Sequence, residues 1–137
     1  MDLSCLLYIE TFEEPATLQQ RITSLFGGTI SLGSISDEFI YIDLSLNDSR
    51  DRKRFLRERR FVFSKYCAEI DPVDEICLTA EKVDPEIYLD ILMHIIMELR
   101  KSGTQVASSC EYEDLVAEKT GWNWSTTTPV HPPVATG

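Results

Sequence analysis

The chain has 137 residues and a net charge of −10, with 43% apolar and 26% charged residues. Its length fits one domain with a buried core, and its composition excludes a disordered or fibrous protein. The negative charge disfavours binding to nucleic acid or to an anionic membrane. It is compatible with attraction of a basic partner, or with a role in solubility alone.

The four cysteines, at positions 5, 67, 77 and 110, are scattered and include no Cys-x-x-Cys pair. Their spacing does not indicate a zinc site, and Cys5, Cys67 and Cys110 fall inside predicted strands, where a free thiol behaves as a small apolar group. The first residues lack the basic region of a signal peptide, and no apolar run approaches the ~20 residues of a membrane span. We therefore expect a cytoplasmic protein without membrane association.

The first third of the chain predicts strands around one helix. Residues 3–9 form an apolar run short enough for a central strand. Pro15 suits the first position of a helix that has apolar residues on one face and ends at Gly27-Gly28. Residues 29–32 predict a short strand with a turn at Gly33-Ser34, and residues 39–46 alternate as a half-buried strand does.

Residues 50–60 have an unusual composition. Seven of the chain's 13 basic residues lie there with two acidic ones, so this run carries +5 and the remainder carries −15. Phe55 and Leu56 predict a small apolar anchor inside the run. Arginine suits phosphate binding, but the surrounding negative field opposes the approach of phosphate. We favour a solvated connector that neutralises nearby acids.

The second half predicts the longest helix between two strands. Residues 61–70 are the strand richest in aromatic and β-branched residues, and residues 75–78 predict a brief extended piece. Asp84 and Pro85 suit the start of the long helix, and Gly103 suits its exit. A strand over residues 104–110 follows. We expect the sheet to bury four apolar residues of this helix, Leu89, Leu92, Ile96 and Leu99.

This order of elements predicts one α+β domain over residues 1–124, with two main helices on one face of a mostly antiparallel sheet. A ferredoxin-like or split β-α-β arrangement is our first choice. Residues 125–137 are rich in Thr and Pro and predict an extended tail.

Glu111, Glu113 and Asp114 follow the last predicted strand, at a strand end where sites often form. Three carboxylates could hold a divalent cation, or two could share acid and base roles. No glycine-rich loop, EF-hand spacing or nucleophile–histidine–acid arrangement accompanies them, and His94 lies on the polar stripe of the long helix. We therefore expect no catalytic residue, bound metal or cofactor, and we interpret the acids as favourable charges at the start of a short helix over residues 115–119.

Both tryptophans of the chain, Trp122 and Trp124, lie just beyond these acids, next to a glycine. Tryptophan is enriched at binding hot spots because its side chain removes a large apolar area from water. Such a pair could contact a partner. Alternatively, one could close the end of the core while the other covers the tail.

The string Cys110-Glu111-Tyr112-Glu113-Asp114, after a Val/Ala strand and a long helix, resembles small acidic bacterial α+β proteins of unassigned activity. The resemblance covers residues 61–124, and it supplies no catalytic assignment to carry over. In general character the chain is also similar to immunity proteins, which neutralise toxins.

Two functional hypotheses follow. The first is a non-enzymatic binding module, an inhibitor or immunity protein, that contacts a basic protein partner through Glu111, Glu113, Asp114, Trp122 and Trp124. The second is a small enzyme or ligand-binding domain that uses the three carboxylates within a concave pocket.

Overall fold

The structure, a computed structural model, describes residues 1–123. Its strands are β1 (Cys5–Glu10), β2 (Thr29–Ser31), β3 (Ser34–Ser36), β4 (Ile40–Leu46), β5 (Tyr66–Pro72) and β6 (Gln105–Ser109). Its α-helices are α1 (Pro15–Phe26), α2 (Arg52–Glu58), α3 (Val73–Ile76), α4 (Pro85–Lys101) and α5 (Glu113–Thr120). A 3₁₀ turn, Phe61–Phe63, precedes β5. The predicted tail over residues 125–137 lies outside the described residues.

The strands form one antiparallel sheet in the order β2-β3-β4-β5-β1-β6. β5 lies between β1 and β4, which are connected through α1 and the β2–β3 hairpin, while α4 lies in the connection from β5 to β6. This is the split β-α-β topology of a ferredoxin-like fold, to which the β2–β3 hairpin adds two strands. The predicted α+β class, with its mostly antiparallel sheet, is confirmed.

The main core lies between one face of the sheet and the helices α1 and α4. Leu7 and Ile9 of β1 meet Leu18 of α1 and Leu92 of α4, and all four side chains are fully buried. Ile96 and Leu99 are buried as predicted, whereas Leu89 is only half-buried at the edge of this core.

The ends of α4 match the sequence signals. The carboxylate of Asp84 accepts a hydrogen bond from the backbone N–H of Glu86 at 2.9 Å, and Pro85 occupies the first helical position. Gly103, just beyond the helix, has a φ of 90°, a conformation that glycine adopts without strain. His94 is exposed on the polar side of the helix, as predicted.

A second, smaller apolar cluster lies on the opposite face of the sheet. Phe55 of α2 and Phe61 pack edge to face with ring centroids 5.6 Å apart, above Ala107 of β6. Tyr8, Phe63 and Trp122 pack around them. Helix α2 and the 3₁₀ turn thus cover one end of this face and leave the other end open.

The predicted strand over residues 61–70 is wrong in its first part. Residues Phe61–Phe63 form the 3₁₀ turn, and the strand begins only at Tyr66. The side-chain amide of Asn47 donates to the carbonyl oxygens of Val62 and Ser64, at 2.8 and 3.0 Å. These carbonyl groups are therefore satisfied without a neighbouring strand, and Phe61 turns into the second cluster.

The predicted solvated connector over residues 50–60 is mostly exposed, and it contains the helix α2, which the sequence interpretation did not predict. Asp51 caps α2 by accepting from the N–H of Arg54 at 3.0 Å. Phe55 is a buried anchor as predicted, but Leu56 is 50% exposed. The run does neutralise a nearby acid, since Arg52 pairs with Glu10 at 2.5 Å.

Two shorter predictions need correction as well. The residues expected to extend briefly over 75–78 overlap the helix α3 instead. The turn after β2 lies at Leu32-Gly33, where both φ angles are positive, so that β3 begins at Ser34. Within residues 1–123, no helix combines the length and the apolar character that crossing a membrane requires.

Candidate functional site

The open end of the second sheet face contains a groove of about 540 Å³. It forms here because α2 covers only the far end of this face. The groove crosses β5, β1 and the end of β6, whose registers place Leu6 beside both Glu69 and Ser109. Its lining residues are Asp2, Ser4, Cys5, Leu6, Glu69, Ile70, Asp71, Ser109, Cys110 and Glu111.

Four carboxylates from distant parts of the chain line this groove. Three of them, those of Asp2, Asp71 and Glu111, form hydrogen bonds with the first residues of the chain. The hydroxyl of Ser4 donates to the carboxylate of Asp71. The N–H of Ser4 donates to Asp2 at 2.9 Å, and the N–H of Asp2 donates to Glu111 at 2.7 Å. Glu69 is exposed on β5, opposite Asp43 of β4. The groove is therefore acidic along its length.

Ion pairs within the described residues do not neutralise the negative charge of the groove. Among residues 1–123, the carboxylates in ion pairs are those of Glu10, Glu13, Glu58 and Glu98. The nearby side chain of Glu75 senses this charge, since its pKa is raised by desolvation and then by the charges of Asp71, Asp2 and Asp74. A cation would relieve this repulsion.

The structure separates the three predicted carboxylates. Glu111 lines the groove. Glu113 is half-buried at the start of α5, where it accepts from the side-chain amide of Asn123 at 3.2 Å and from the N–H of Cys110. Desolvation raises the pKa of Glu113. Asp114 is exposed in the first turn of α5, where its charge favours the helix.

Trp122 lies in the second cluster rather than in a free loop. The guanidinium of Arg100 stacks over its ring at 3.4 Å, and the Phe61 ring centroid is 6.4 Å away. Tyr8 lies two residues after Leu6, and its partner Ala107 lies two residues before Ser109, so the cluster adjoins the groove on one face. Trp124 lies outside the described residues.

The second sheet face therefore changes in character along the strands. The acidic groove comes first, then the aromatic cluster, then the basic helix α2. The guanidinium of Arg52 lies 3.8 Å from the ring centroid of Phe12, and that of Arg54 lies 4.0 Å from the ring centroid of Phe63. This face combines opposite charges with an apolar centre, which is the composition of a recognition surface.

The outer edge of β6 is closed by side chains. The oxygen of the Asn123 amide accepts from the N–H of Ser108 at 2.8 Å, and its nitrogen donates to the carbonyl of Ser108 at 3.1 Å. Arg100 donates to the carbonyl of Val106 at 2.8 Å. A partner strand therefore cannot add at these positions without displacing both side chains.

Cys5 and Cys110 form a pair of thiols at the strand ends that border the groove, and both side chains pack on the main-core side of the sheet. The sequence interpretation treated them as independent apolar residues. A hydrogen bond from Cys5, aided by the N–H of Tyr112, lowers the pKa of Cys110 to about 7. The same bond, together with burial, raises the pKa of Cys5. The two positions meet only through the pairing of β1 with β6, which residue patterns alone do not specify.

The sequence interpretation also missed Asp2, Glu69 and Asp71. Glu69 and Asp71 are two residues apart in β5 and therefore lie on the same side of the strand, so a correct strand boundary would have placed both on the open face. The association of Asp2 with them requires the pairing of β1 with β5, which residue patterns alone do not specify.

Within the part of the chain that the structure describes, no cluster of three or more His, Cys, Asp or Glu side chains is arranged to hold a metal ion. The expectation that the chain binds no metal or cofactor stays a prediction.

Comparison with protein-family models, with curated proteins and with solved structures found no match to this chain.

Proposed function

We propose that the protein is an acidic binding module that inhibits a basic protein partner, as an immunity protein neutralises a toxin. The observation that supports this proposal is the groove on the open sheet face, which is lined by the carboxylates of Asp2, Glu69, Asp71 and Glu111. Among the described residues, none of these four carboxylates takes part in an ion pair. A surface of this kind attracts a lysine- or arginine-rich segment and accelerates its encounter.

The aromatic cluster supplies the apolar part of the proposed interface. Trp122 and Tyr8 are half-buried, so part of each side chain faces solvent beside the groove. Burial of these exposed parts by a partner would slow dissociation, because the apolar area must return to water when the complex separates. Of the five residues predicted from the sequence, Glu111 and Trp122 have the position that this role needs.

The alternative, an enzyme or ligand-binding domain that uses Glu111, Glu113 and Asp114, has less support. Only Glu111 belongs to the groove lining, whereas Glu113 is engaged by Asn123 and Cys110. Two carboxylates that share acid and base roles must face the same substrate atoms. We therefore rank the binding module first.

A capture experiment with matched charge variants tests the proposal. The immobilised protein is exposed to a lysate of its source organism, and the retained proteins are identified by mass spectrometry. The Glu69→Lys/Glu111→Lys variant reverses two groove charges. The Asp90→Lys/Glu118→Lys variant makes the same change in net charge at exposed positions of α4 and α5.

We expect a basic protein that the parent and the α4/α5 variant retain and the groove variant loses. Equal loss with both variants would indicate a nonspecific effect of net charge. Equal retention by all three proteins, or recovery of no basic protein, would contradict the proposed groove interface.

A further inference from the structure

Cys5 begins β1, and Cys110 is the residue that directly follows β6. The last paired residues of β1 and β6 are Leu6 and Ser109, so Cys5 and Cys110 are one step beyond them. Both the N–H and the carbonyl of Ser108 point away from β1, to Asn123. Leu7 and Ser108 are therefore a non-hydrogen-bonded pair, and Cys5 and Cys110, two residues further, continue that type.

Non-hydrogen-bonded pairs bring facing side chains closest together. Their Cα atoms are separated by about 4.5 Å, which lies within the 4.4–6.8 Å range that disulfides span. A bond between the two sulfur atoms would therefore need little movement of the backbone. Both residues are free thiols in this structure.

The surroundings give the two thiols different roles. Cys110 is half-buried and lies within 3.8 Å of the Ser108 hydroxyl, whereas Cys5 is 3% exposed. The lowered pKa of Cys110, about 7, makes its thiolate abundant at neutral pH, while the raised pKa of Cys5 keeps its proton in place. Cys110 is thus the less buried and the more acidic of the two thiols, so we assign the first attack to Cys110 and the second to Cys5.

We propose that Cys110 and Cys5 form a thiol–disulfide exchange pair whose substrate is a small-molecule disulfide. The Cys110 thiolate attacks one sulfur atom of the disulfide, whose S–S bond breaks and releases one thiolate, which takes a proton from water. Cys5 then loses its proton, attacks the Cys110 sulfur and expels the second thiol, which takes that proton. The chain loses two electrons to the substrate and gains the Cys5–Cys110 bond.

The other two cysteines must be removed before this reaction is measured. Burial raises the pKa of Cys67 to about 11, but Cys77 is exposed and hydrogen bonds from Thr79 lower its pKa. The Cys67→Ser/Cys77→Ser protein is therefore the reference. Cys5→Ala and Cys110→Ser are added to it separately, and near-UV circular dichroism verifies that each variant is folded.

The probe is oxidised glutathione, and intact mass spectrometry follows the products. We expect the reference protein to lose two hydrogen atoms and retain no glutathione, and reductant to reverse this change. The Cys5→Ala variant should retain one glutathione at Cys110, because the resolving thiol is gone. The Cys110→Ser variant should react at least about tenfold more slowly than the reference.

The pH dependence of alkylation by iodoacetamide gives an independent readout. The thiolate is the nucleophile, so the rate at Cys110 should rise with pH through a midpoint of about 7 and then level off. Cys5→Ala removes the hydrogen bond that contributes most to this lowering, so its midpoint should shift to higher pH.

Several results would overturn the proposal. They are a reference protein that forms no internal disulfide, a Cys5→Ala variant that traps no glutathione, and a Cys110→Ser variant that reacts as fast as the reference. Failure of the capture experiment leaves this inference intact, because it rests on the thiol pair and not on a protein partner.

Discussion

Asn123 shows how one residue near the end of the described chain controls an edge of the sheet. Its amide offers one acceptor and one donor at the spacing of a strand backbone, and Ser108 uses both. The same amide nitrogen also donates to Glu113, which fixes the start of α5. The sequence predicted a contact role for the tryptophans on either side of Asn123, but gave no reason to single out the asparagine between them.

We predict that Asn123→Ala destabilises the fold by about 1–3 kcal/mol, because it leaves the N–H and carbonyl of Ser108 without their partner. Chemical denaturation measures this change, and hydrogen exchange should show faster exchange of the Ser108 amide. Gln20→Ala on the exposed side of α1 is the control and should change stability by less than about 0.5 kcal/mol. Equal stability of the two variants would refute the assigned role of Asn123.

At the scale of single residues, the sequence singled out Glu111 and Trp122 of the candidate site but none of the other three groove carboxylates. Glu111 stood out because it belongs to a local run of acids, and Trp122 because tryptophan is enriched at binding hot spots. Asp2 and Asp71 lie far apart in the sequence and meet only through the pairing of β1 with β5. The local sequence pattern around each residue does not show which distant residues strand pairing brings together.

Elements with strong local signals were predicted well. Helix α4 combines an apolar surface with a capping residue, an N-terminal proline and a glycine exit, and all of these agree with each other. Helix α2 has few apolar residues and many arginines, so its sequence shows no apolar periodicity from which a helix could be predicted. The 3₁₀ turn at Phe61–Phe63 resembles a strand in sequence, and tertiary contacts with Asn47 and Phe55 decide its conformation.

The anchoring of α2 leads to a prediction at this scale. Phe55→Ala should destabilise the protein by about 3–5 kcal/mol, because the side chain is 1% exposed and packs against Phe61. Leu56→Ala, next to it but 50% exposed, should cost less than about 1 kcal/mol. Denaturant unfolding of both variants gives the comparison, and equal losses would show that α2 is not held by its apolar side.

The whole molecule separates its charges in space. The run of residues 50–60 carries +5 and lies at one end of the second sheet face, while the groove carboxylates lie at the other end. The net charge of −10 predicted a negative surface but not this polarity. A partner that bears a basic segment should therefore dock in one orientation, because the opposite orientation would bring its basic segment onto α2.

The association kinetics of a captured basic partner should report this polarity. In stopped-flow mixing, the association rate of the parent should fall steeply as salt rises, since the surface charges are screened within about 10 Å at 0.1 M. The Glu69→Lys/Glu111→Lys variant should associate roughly ten- to a hundredfold more slowly at low salt and lose most of its salt dependence. The Asp90→Lys/Glu118→Lys variant has the same net charge but keeps the groove acidic, so it should remain close to the parent. If these two variants slow association equally, the rate depends on total charge alone, and the acidic groove has no special part in recognition.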